Sequence, residues 1–360
     1  MTRRPRVKTN GHATAVTMAD VARVAGVSKA TVSRVINSHV QVDPLLAEAV
    51  RRTVRELNYR PSRVARSLRT RQSRVWALII SDVRNSFFTD MVKGVEEIAY
   101  EAGYSLVLCN AEEDPAKEAS YLELAIAENV AGVILTPEGT ATNIAPLIDL
   151  GIPVVLADRT LAQPDVDSVA VNNVVGARAA VGHLVSGGYE RIACITGPLS
   201  KTTGSERYDG YREALEVAGI PVDKALVRIA DFKEAGGHRA MEELLKLGEP
   251  PDAVFVANNV MTIGALRAIS KAGLEIPDDI AVIGFDDMSW ASLLRPPLTT
   301  VAQPTYDLGV ETGRLLVSRL AGYTGAARTV LLSPSLVVRA SSAPKQPQPL
   351  PLAPSPRRKS

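Results

Sequence analysis

The sequence is short of the residues that most enzyme and metal chemistry needs. Only two cysteines, Cys109 and Cys194, occur in 360 residues, and each lies inside an apolar, strand-like run. They read as buried thiols of a reducing compartment and not as a disulfide or a metal site. Four histidines are present, and neither His183 nor His238 has a partner at metal-ligand spacing. No run approaches the ~18–20 apolar residues of a membrane span, which excludes a transmembrane protein. The basic start, Met1-Thr2-Arg3-Arg4-Pro5-Arg6, has no apolar stretch before Val16, so it is no secretion signal and a cytoplasmic chain is expected. Phosphate-binding, dinucleotide-binding, nucleophile-elbow and HExxH motifs are all missing. Asp286-Asp287 looks like an acid pair, but neighbours at a strand end point apart, so general acid/base catalysis is not expected. The chain reads as a non-enzyme with no cofactor.

What the sequence does have is charge asymmetry. Residues 1–74 hold 16 Lys and Arg against 4 Asp and Glu, a local net of +12. Residues 75–340 hold 21 against 35, a net of −14, and the last 20 residues add +4. A basic head on an acidic body indicates that the head meets a polyanion and the body does something else.

The head carries a folded pattern. Thr17-Met18-Ala19-Asp20 is a capping-box-like helix start, followed by Val21, Val24 and Ala25 at helical spacing. Gly26 supplies a tight turn, Ser28 caps a second helix containing Thr31, Val32, Val35 and Ile36, and Asp43-Pro44 opens a third with Leu46, Val50, Val54 and Leu57 on one face. Three short helices with a glycine turn between the first two make a helix-turn-helix, whose second helix presents its early residues to the major groove.

Residues 18–69, with "AGVS..TVSRVIN", "ELNYRP" and "RVARSL" in order, resemble the DNA-binding head of the lactose repressor/galactose repressor (LacI/GalR) family. The resemblance implies that Ser28, Lys29, Ala30, Thr31, Ser33 and Arg34 lie on or near the groove-facing side, with Lys29 and Ala30 at the two positions the family varies to choose its operator. It implies that Asn37, Asn58 and Tyr59 hold phosphates, which positions the head without reading sequence. Residues 62–69 resemble the family's hinge helix, which forms on the operator and enters the minor groove. Leu68 would be the wedge that unstacks the central step, with Ala65 facing the same groove. Thr17 and Arg69 complete the expected DNA-binding set.

From Val75 short apolar runs alternate with helical stretches. The runs are 75–80, 105–109, 132–136, 153–157, 191–196, 253–256 and 280–284, and the helices 88–102, 115–128, 174–186, 207–218, 234–247 and 261–272. Alternating β and α units imply parallel sheets covered by helices, with ligands beyond the carboxyl ends of the strands. Asp82, Phe87, Phe88, Asp158, Lys201, Arg207, Phe232, Asn258, Asp286 and Gln303 fall near such ends.

Segments such as "SDVRNSFFTDMVKGVEEIAYEAGYSLVLCN", "IPVVLADR", "ERYDGYREAL" and "IPDDIAVIGFDD" resemble the type I periplasmic sugar-binding fold that the same family uses as its effector core. The implied fold class is an all-α helix-turn-helix DNA-binding head plus an α/β type I periplasmic-binding-protein-like core of two doubly wound subdomains. The expected division is a disordered basic arm over 1–16, the head over 17–61, hinge and linker over 62–74, the core over 75–340 and a disordered, proline-rich tail over 341–360. Within the core, 75–172 plus 304–327 form one subdomain and 173–303 plus 328–340 the other, with crossings near Asn172, Gln303 and Arg328.

By resemblance, Phe87 and Phe88 pack on the ligand's flat face, Arg207 clamps ligand oxygens, Asp286 is the acceptor opposite, and Asp158 is a carboxylate near the cleft. Phe232, Asn258 and Gln303 are further lining positions, with Lys201 and Thr203 in the loop above. Each has a plainer alternative: core aromatics for the phenylalanines, strand-end turns for Asp158 and Asp286, a surface ion pair for Arg207. One departure is the Asn258-Asn259 pair, where the family usually has Asn-Asp, which removes a carboxylate. The tail holds no leucine heptad, and a single head touches little DNA, so a homodimer on a palindromic double-stranded operator is the expectation. The chain reads as a ligand-responsive transcriptional regulator, foremost a repressor, with a sugar as first choice of effector and a purine or nucleoside second. The alternative is a solute-binding protein for sugars or nucleosides that does not bind DNA.

Overall fold

The computed structural model describes residues 16–36, 42–59, 73–163 and 165–345. Asn37, Ala65, Leu68, Arg69, the hinge through Gln72, the arm through Ala15 and the tail beyond Lys345 lie outside the described residues. The chain divides into two compact units at Gln72/Ser73.

The first unit packs three helices, α1 (Met18–Ala25), α2 (Lys29–Ile36) and α3 (Pro44–Glu56), around Val21, Ala22, Val32, Val35, Ala47, Val50 and Tyr59. Thr17 and Asp20 form a reciprocal capping box at the start of α1, and Gly26 ends it in the left-handed region at φ 67°. The Ser28 hydroxyl accepts the Thr31 amide at 3.1 Å and so starts α2. Asp43 caps α3 by accepting from the amides of Leu45 and Leu46 at 2.8 and 3.2 Å. Asp43→Ala is therefore expected to cost the head about 1 kcal/mol. Faster amide exchange at Val50 and Val54 would report it, and unchanged protection would remove the capping role.

The second unit contains two six-stranded sheets. The first is built from β1 (Val75–Ile80), β2 (Ser105–Asn110), β3 (Gly132–Leu135), β4 (Val154–Ala157), β5 (Asp167–Val171) and β11 (Thr329–Leu332), in the order β11-β5-β4-β3-β1-β2. The second is built from β6 (Ile192–Thr196), β7 (Val227–Ile229), β8 (Ala253–Val256), β9 (Ala281–Phe285), β10 (Thr299–Ala302) and β12 (Ser335–Val337), in the order β12-β10-β9-β8-β6-β7. All pairings are parallel except β10 with β12. Strand β1 shows why its whole run is apolar: Trp76, Leu78 and Ile80 join the core on one face, Ala77 and Ile79 the core on the other.

Helices α4 (Ser86–Glu101), α5 (Pro115–Ala127), α6 (Ala145–Asp149) and α11 (Thr305–Leu320) cover the first sheet; α7 (Asn173–Ser186), α8 (Thr202–Val217), α9 (Glu234–Leu245) and α10 (Asn259–Lys271) cover the second. A Cβ on Gly309 of α11 would run into the Met91 carbonyl of α4, so these two helices touch backbone to backbone.

The chain passes between the sheets after β5, after β10 and after β11. Two expectations are corrected here. The third crossing falls between Leu332 and Ser335 and not near Arg328, because β11 pairs with β5 of the first sheet. β11 has a short apolar run, Val330-Leu331-Leu332, but it is an edge strand with Leu331 56% exposed and lacks the burial on both faces of a central strand. The fold also extends past residue 340. Ser341 and Ser342 are buried, the Ser341 hydroxyl bridging the Thr299 amide at 2.8 Å and the Val282 carbonyl at 2.7 Å, and Lys345 pairs with Asp252 at 2.6 Å.

Candidate effector cleft and DNA-facing helix

The cleft lies at the carboxyl ends of the strands, where the two sheets' loops meet, and spans about 410 Å³ including its solvent-open part. From the first subdomain it is lined by Asp82, Asn85, Phe87, Phe88, Glu113, Asp158 and Arg159, and from the second by Thr203, Arg207, Phe232, Asn258 and Asp286, with Gln303 at a crossing. Phe87, Phe88, Asp158, Thr203, Arg207, Phe232, Asn258, Asp286 and Gln303 were expected there, and Asp82 was expected near a strand end. Asn85, Glu113 and Arg159 were not, although Arg159 directly follows Asp158 and Asn85 precedes the phenylalanine pair by two. Glu113 sits in an acidic run that carries no such signal. Lys201 does not line the cleft; its ammonium is taken by the carboxylates of Glu113 and Glu138.

Local structure aims these side chains. The Asn85 side chain accepts the Phe87 amide at 3.0 Å and starts α4, which sets Phe87 and Phe88 on its first turn. Their rings meet edge to face with centroids 5.0 Å apart. Asn258 does the same for α10, accepting the Met261 amide at 2.8 Å. Asp158, Phe232 and Asp286 all stand at positive φ, 67°, 59° and 76°. Non-glycine residues adopt that region at a cost of order 1–3 kcal/mol, held only where the surroundings over-determine it. Asp158 and Asp286 each immediately follow a strand, and the left-handed step turns their carboxylates into the cleft.

Electrostatics make the cleft a set of poised donors and acceptors. The buried Arg207 guanidinium donates to Asn173 Oδ1 at 2.8 Å and to the Ala257 carbonyl at 2.7 Å, and stacks 3.9 Å above the Phe285 ring centre. Arg207 is therefore no surface ion pair. Burial raises the Asp158 carboxyl to about 6, with Arg159 and Arg207 opposing. Asp286 accepts from the Asn259 amide at 3.2 Å and from Gln303 Nε2, which leaves Gln303 Oε1 buried without a partner. Arg159 Nε is likewise buried and unpartnered. Such atoms are costly unless a bound group satisfies them. The Asn259 departure has a structural use: its amide donates across the cleft to Asn85 Oδ1 at 2.8 Å, which a carboxylate could not do.

In the head, Lys29, Ala30 and Arg34 are exposed on α2, Ser28 is exposed just before it, and Thr31 and Ser33 are half-buried. Thr17 is exposed, and Asn58 stands at φ 46°. Tyr59 is 8% exposed because its ring closes the head's core, so its role is at least partly structural. Among the described residues no three His, Cys, Asp or Glu could hold a metal, and no helix is long and apolar enough to cross a membrane.

Residues 17–62 match the model for bacterial regulatory proteins of the lacI family, and residues 181–342 match a periplasmic binding protein-like domain. The ribose operon repressor of Escherichia coli (strain K12) is 39% identical over 328 residues, 91% of this chain and 99% of that one. Among solved structures, the lac repressor dimer bound to operator and an anti-inducer aligns with TM-score 0.81 and 31% identity over 92% of this chain and all of that one. The complex of the transcriptional regulator CelR with cellobiose aligns with TM-score 0.70 and 36% identity over 91% of this chain and 99% of that one. With a helix-turn-helix head, a two-sheet core and a polar cleft between the sheets, the chain belongs to the lacI family as a ligand-responsive, DNA-binding transcriptional repressor and not an enzyme.

Proposed function

We propose that two copies of this chain bind a pseudo-palindromic operator, working in the cytoplasm, and that a pentose-class sugar in the cleft shifts that binding. The observation that carries the effector reading is the composition of the cleft: Asp158 and Asp286 as acceptors, the Arg207 guanidinium as a forked donor with Arg159 Nε beside it, and phenylalanines contributed by both subdomains. Alternating acceptors and donors match the vicinal hydroxyls of a sugar, and aromatic faces match its apolar C–H side. The ribose operon repressor's likeness supports a monosaccharide. For DNA, an eight-residue α2 with exposed Lys29, Ala30 and Arg34 reads one half-site, and twofold symmetry supplies the second. On this reading Asn37, Asn58 and Tyr59 hold phosphates and position the head, Leu68 is the minor-groove wedge with Ala65 facing the same groove, and Thr17 and Arg69 belong to the same DNA-binding set.

The test is selection of bound duplexes from a random pool at fixed, near-physiological salt, with and without D-ribose, since phosphate contacts alone give affinity that falls steeply with ionic strength. The expected result is enrichment of a palindrome with a flexible central pyrimidine–purine step, changed by D-ribose. No enrichment under either condition would overturn the operator reading; enrichment indifferent to D-ribose and other pentoses would overturn the effector reading.

A further inference from the structure

We propose that Lys201 is a strap across the cleft, a positioning residue that ties the two subdomains together through Glu113 and Glu138 without touching the effector. The proposal deepens the effector reading and rests on it for its binding arm only. Lys201 begins α8 as its N-cap residue but makes no side-chain cap there. Its ammonium instead reaches the first subdomain, donating to Glu138 Oε2 at 2.7 Å and to Glu113. All three side chains are sequestered, at 9%, 0% and 10% exposure for Lys201, Glu138 and Glu113.

Charge balance shows why the strap matters. Arg159 donates to both Glu113 oxygens at 2.8 and 3.2 Å, to Ser81 Oγ at 2.8 Å and to Glu138 Oε2 at 3.4 Å. Two buried carboxylates thus share two cations, one from their own subdomain and one from the other. Glu118 of α5 stands behind them, accepting the Glu138 amide at 2.7 Å, and Asp158 lies 3.9 Å from Arg159 Nε. Withdrawing Lys201 on opening leaves this wall with one cation among four carboxyl groups. A buried, unneutralised carboxylate is expensive, so closure is favoured by pairing with Lys201. The same carboxylates fix Arg159 beside the effector site, so the strap also holds a ligand-facing donor in place.

A pH dependence follows. Burial and the neighbouring Glu113 raise Glu138 to about 7, with Arg159 and Lys201 pulling it down. Closure brings Lys201 in and favours ionised Glu138, so closing releases a proton. Acidification through that range therefore favours the open cleft, and effector affinity is present above it and lost below it.

The experiment measures D-ribose binding by calorimetry at pH 8 and pH 6 on the full chain, its K201M, K201R and E138Q variants. In parallel, the distance between labels on S120C and V217C, one on each subdomain, is followed without sugar. Wild-type affinity is expected to fall about tenfold from pH 8 to pH 6, while E138Q is already weak at pH 8 and keeps only the smaller loss that protonation of Asp158 adds toward pH 6, and K201M is weak at both. K201R restores binding at pH 8. Label distances lengthen in K201M, and in the wild type on acidification. Wild-type affinity, pH profile and label distance all retained in K201M and E138Q would overturn the strap. If D-ribose binds no protein, the pentose reading falls, and the label distances alone decide the strap.

Discussion

Arg207→Ala should lose about 100-fold or more in effector affinity while leaving operator binding intact, because it removes a desolvated, forked cation from the cleft. The guanidinium is held by Asn173, the Ala257 carbonyl and the Phe285 ring, so its free face is pre-oriented before any ligand arrives. Preorganisation is what makes one charged donor worth this much, since no side-chain entropy is lost on binding. Asp286→Ala is expected to act alike, because Asp286 is fixed by the Asn259 amide and by Gln303 and cannot be replaced by a rotating neighbour. The head keeps its own core of Val21, Val32, Val35 and Val50, so duplex binding is untouched. Calorimetry with D-ribose checks both variants, and effector binding retained in both would refute the assignment of this cleft. A parallel duplex-binding assay separates lost response from lost folding.

The second large effect is on stability. Asp167→Ala is expected to destabilise the core by about 3 kcal/mol, the loss typical of removing one partner from a buried ion pair. Asp167 opens β5 with no exposed side-chain surface and binds Arg319 at 2.7 and 2.8 Å, Arg328 at 2.7 Å and the Arg328 amide at 2.8 Å. These bonds fasten the end of α11 and the start of β11 to the first sheet, at the end of β11 opposite the third crossing. Both arginines keep partial solvent access and lie near the Tyr323 ring, which limits the loss. The hydrogen bonds from Arg319 and Arg328 outweigh the burial of Asp167 and hold its carboxyl well below the usual carboxylate range. A depressed folded-state value means this stability is present above that usual range and fades as pH falls below it. Urea unfolding at neutral and acid pH tests both points: Asp167→Ala should lower the neutral midpoint and flatten the acid dependence. An unchanged midpoint would show that β11 is held by its ladder alone.

Much of the architecture is written locally. Capping residues Thr17, Asp43, Asn85 and Asn258 start helices by satisfying amides within three positions of themselves, and such rules need no tertiary context. Apolar runs such as 75–80 and 253–256 declare buried parallel strands because both faces are covered. The strands that escaped notice are the short or polar ones, Asp167–Val171, Val227–Ile229, Thr299–Ala302, Thr329–Leu332 and Ser335–Val337. Asp167 and Thr299 are buried by position in the sheet and not by hydrophobicity, and Leu331 is exposed at an edge. Helix α8 starts at Thr202, before Arg207, because the Lys201 carbonyl accepts the amides of Gly204 and Ser205.

The sequence by itself determined the head, the alternating β and α order, and the residue types that meet at the strand ends, because each depends on contacts within a few positions or on a repeating polarity. Only the tertiary structure decided what those residues do to one another. Lys201 meets Glu138 and Glu113 across 63 and 88 positions, and Asn259 meets Asn85 across 174. A lysine at a loop above a cleft looks the same in one dimension whether it faces a ligand or a pair of buried carboxylates. The choice is made by the desolvation of Glu113 and Glu138, which exists only once both sheets have folded and their loops have closed on each other.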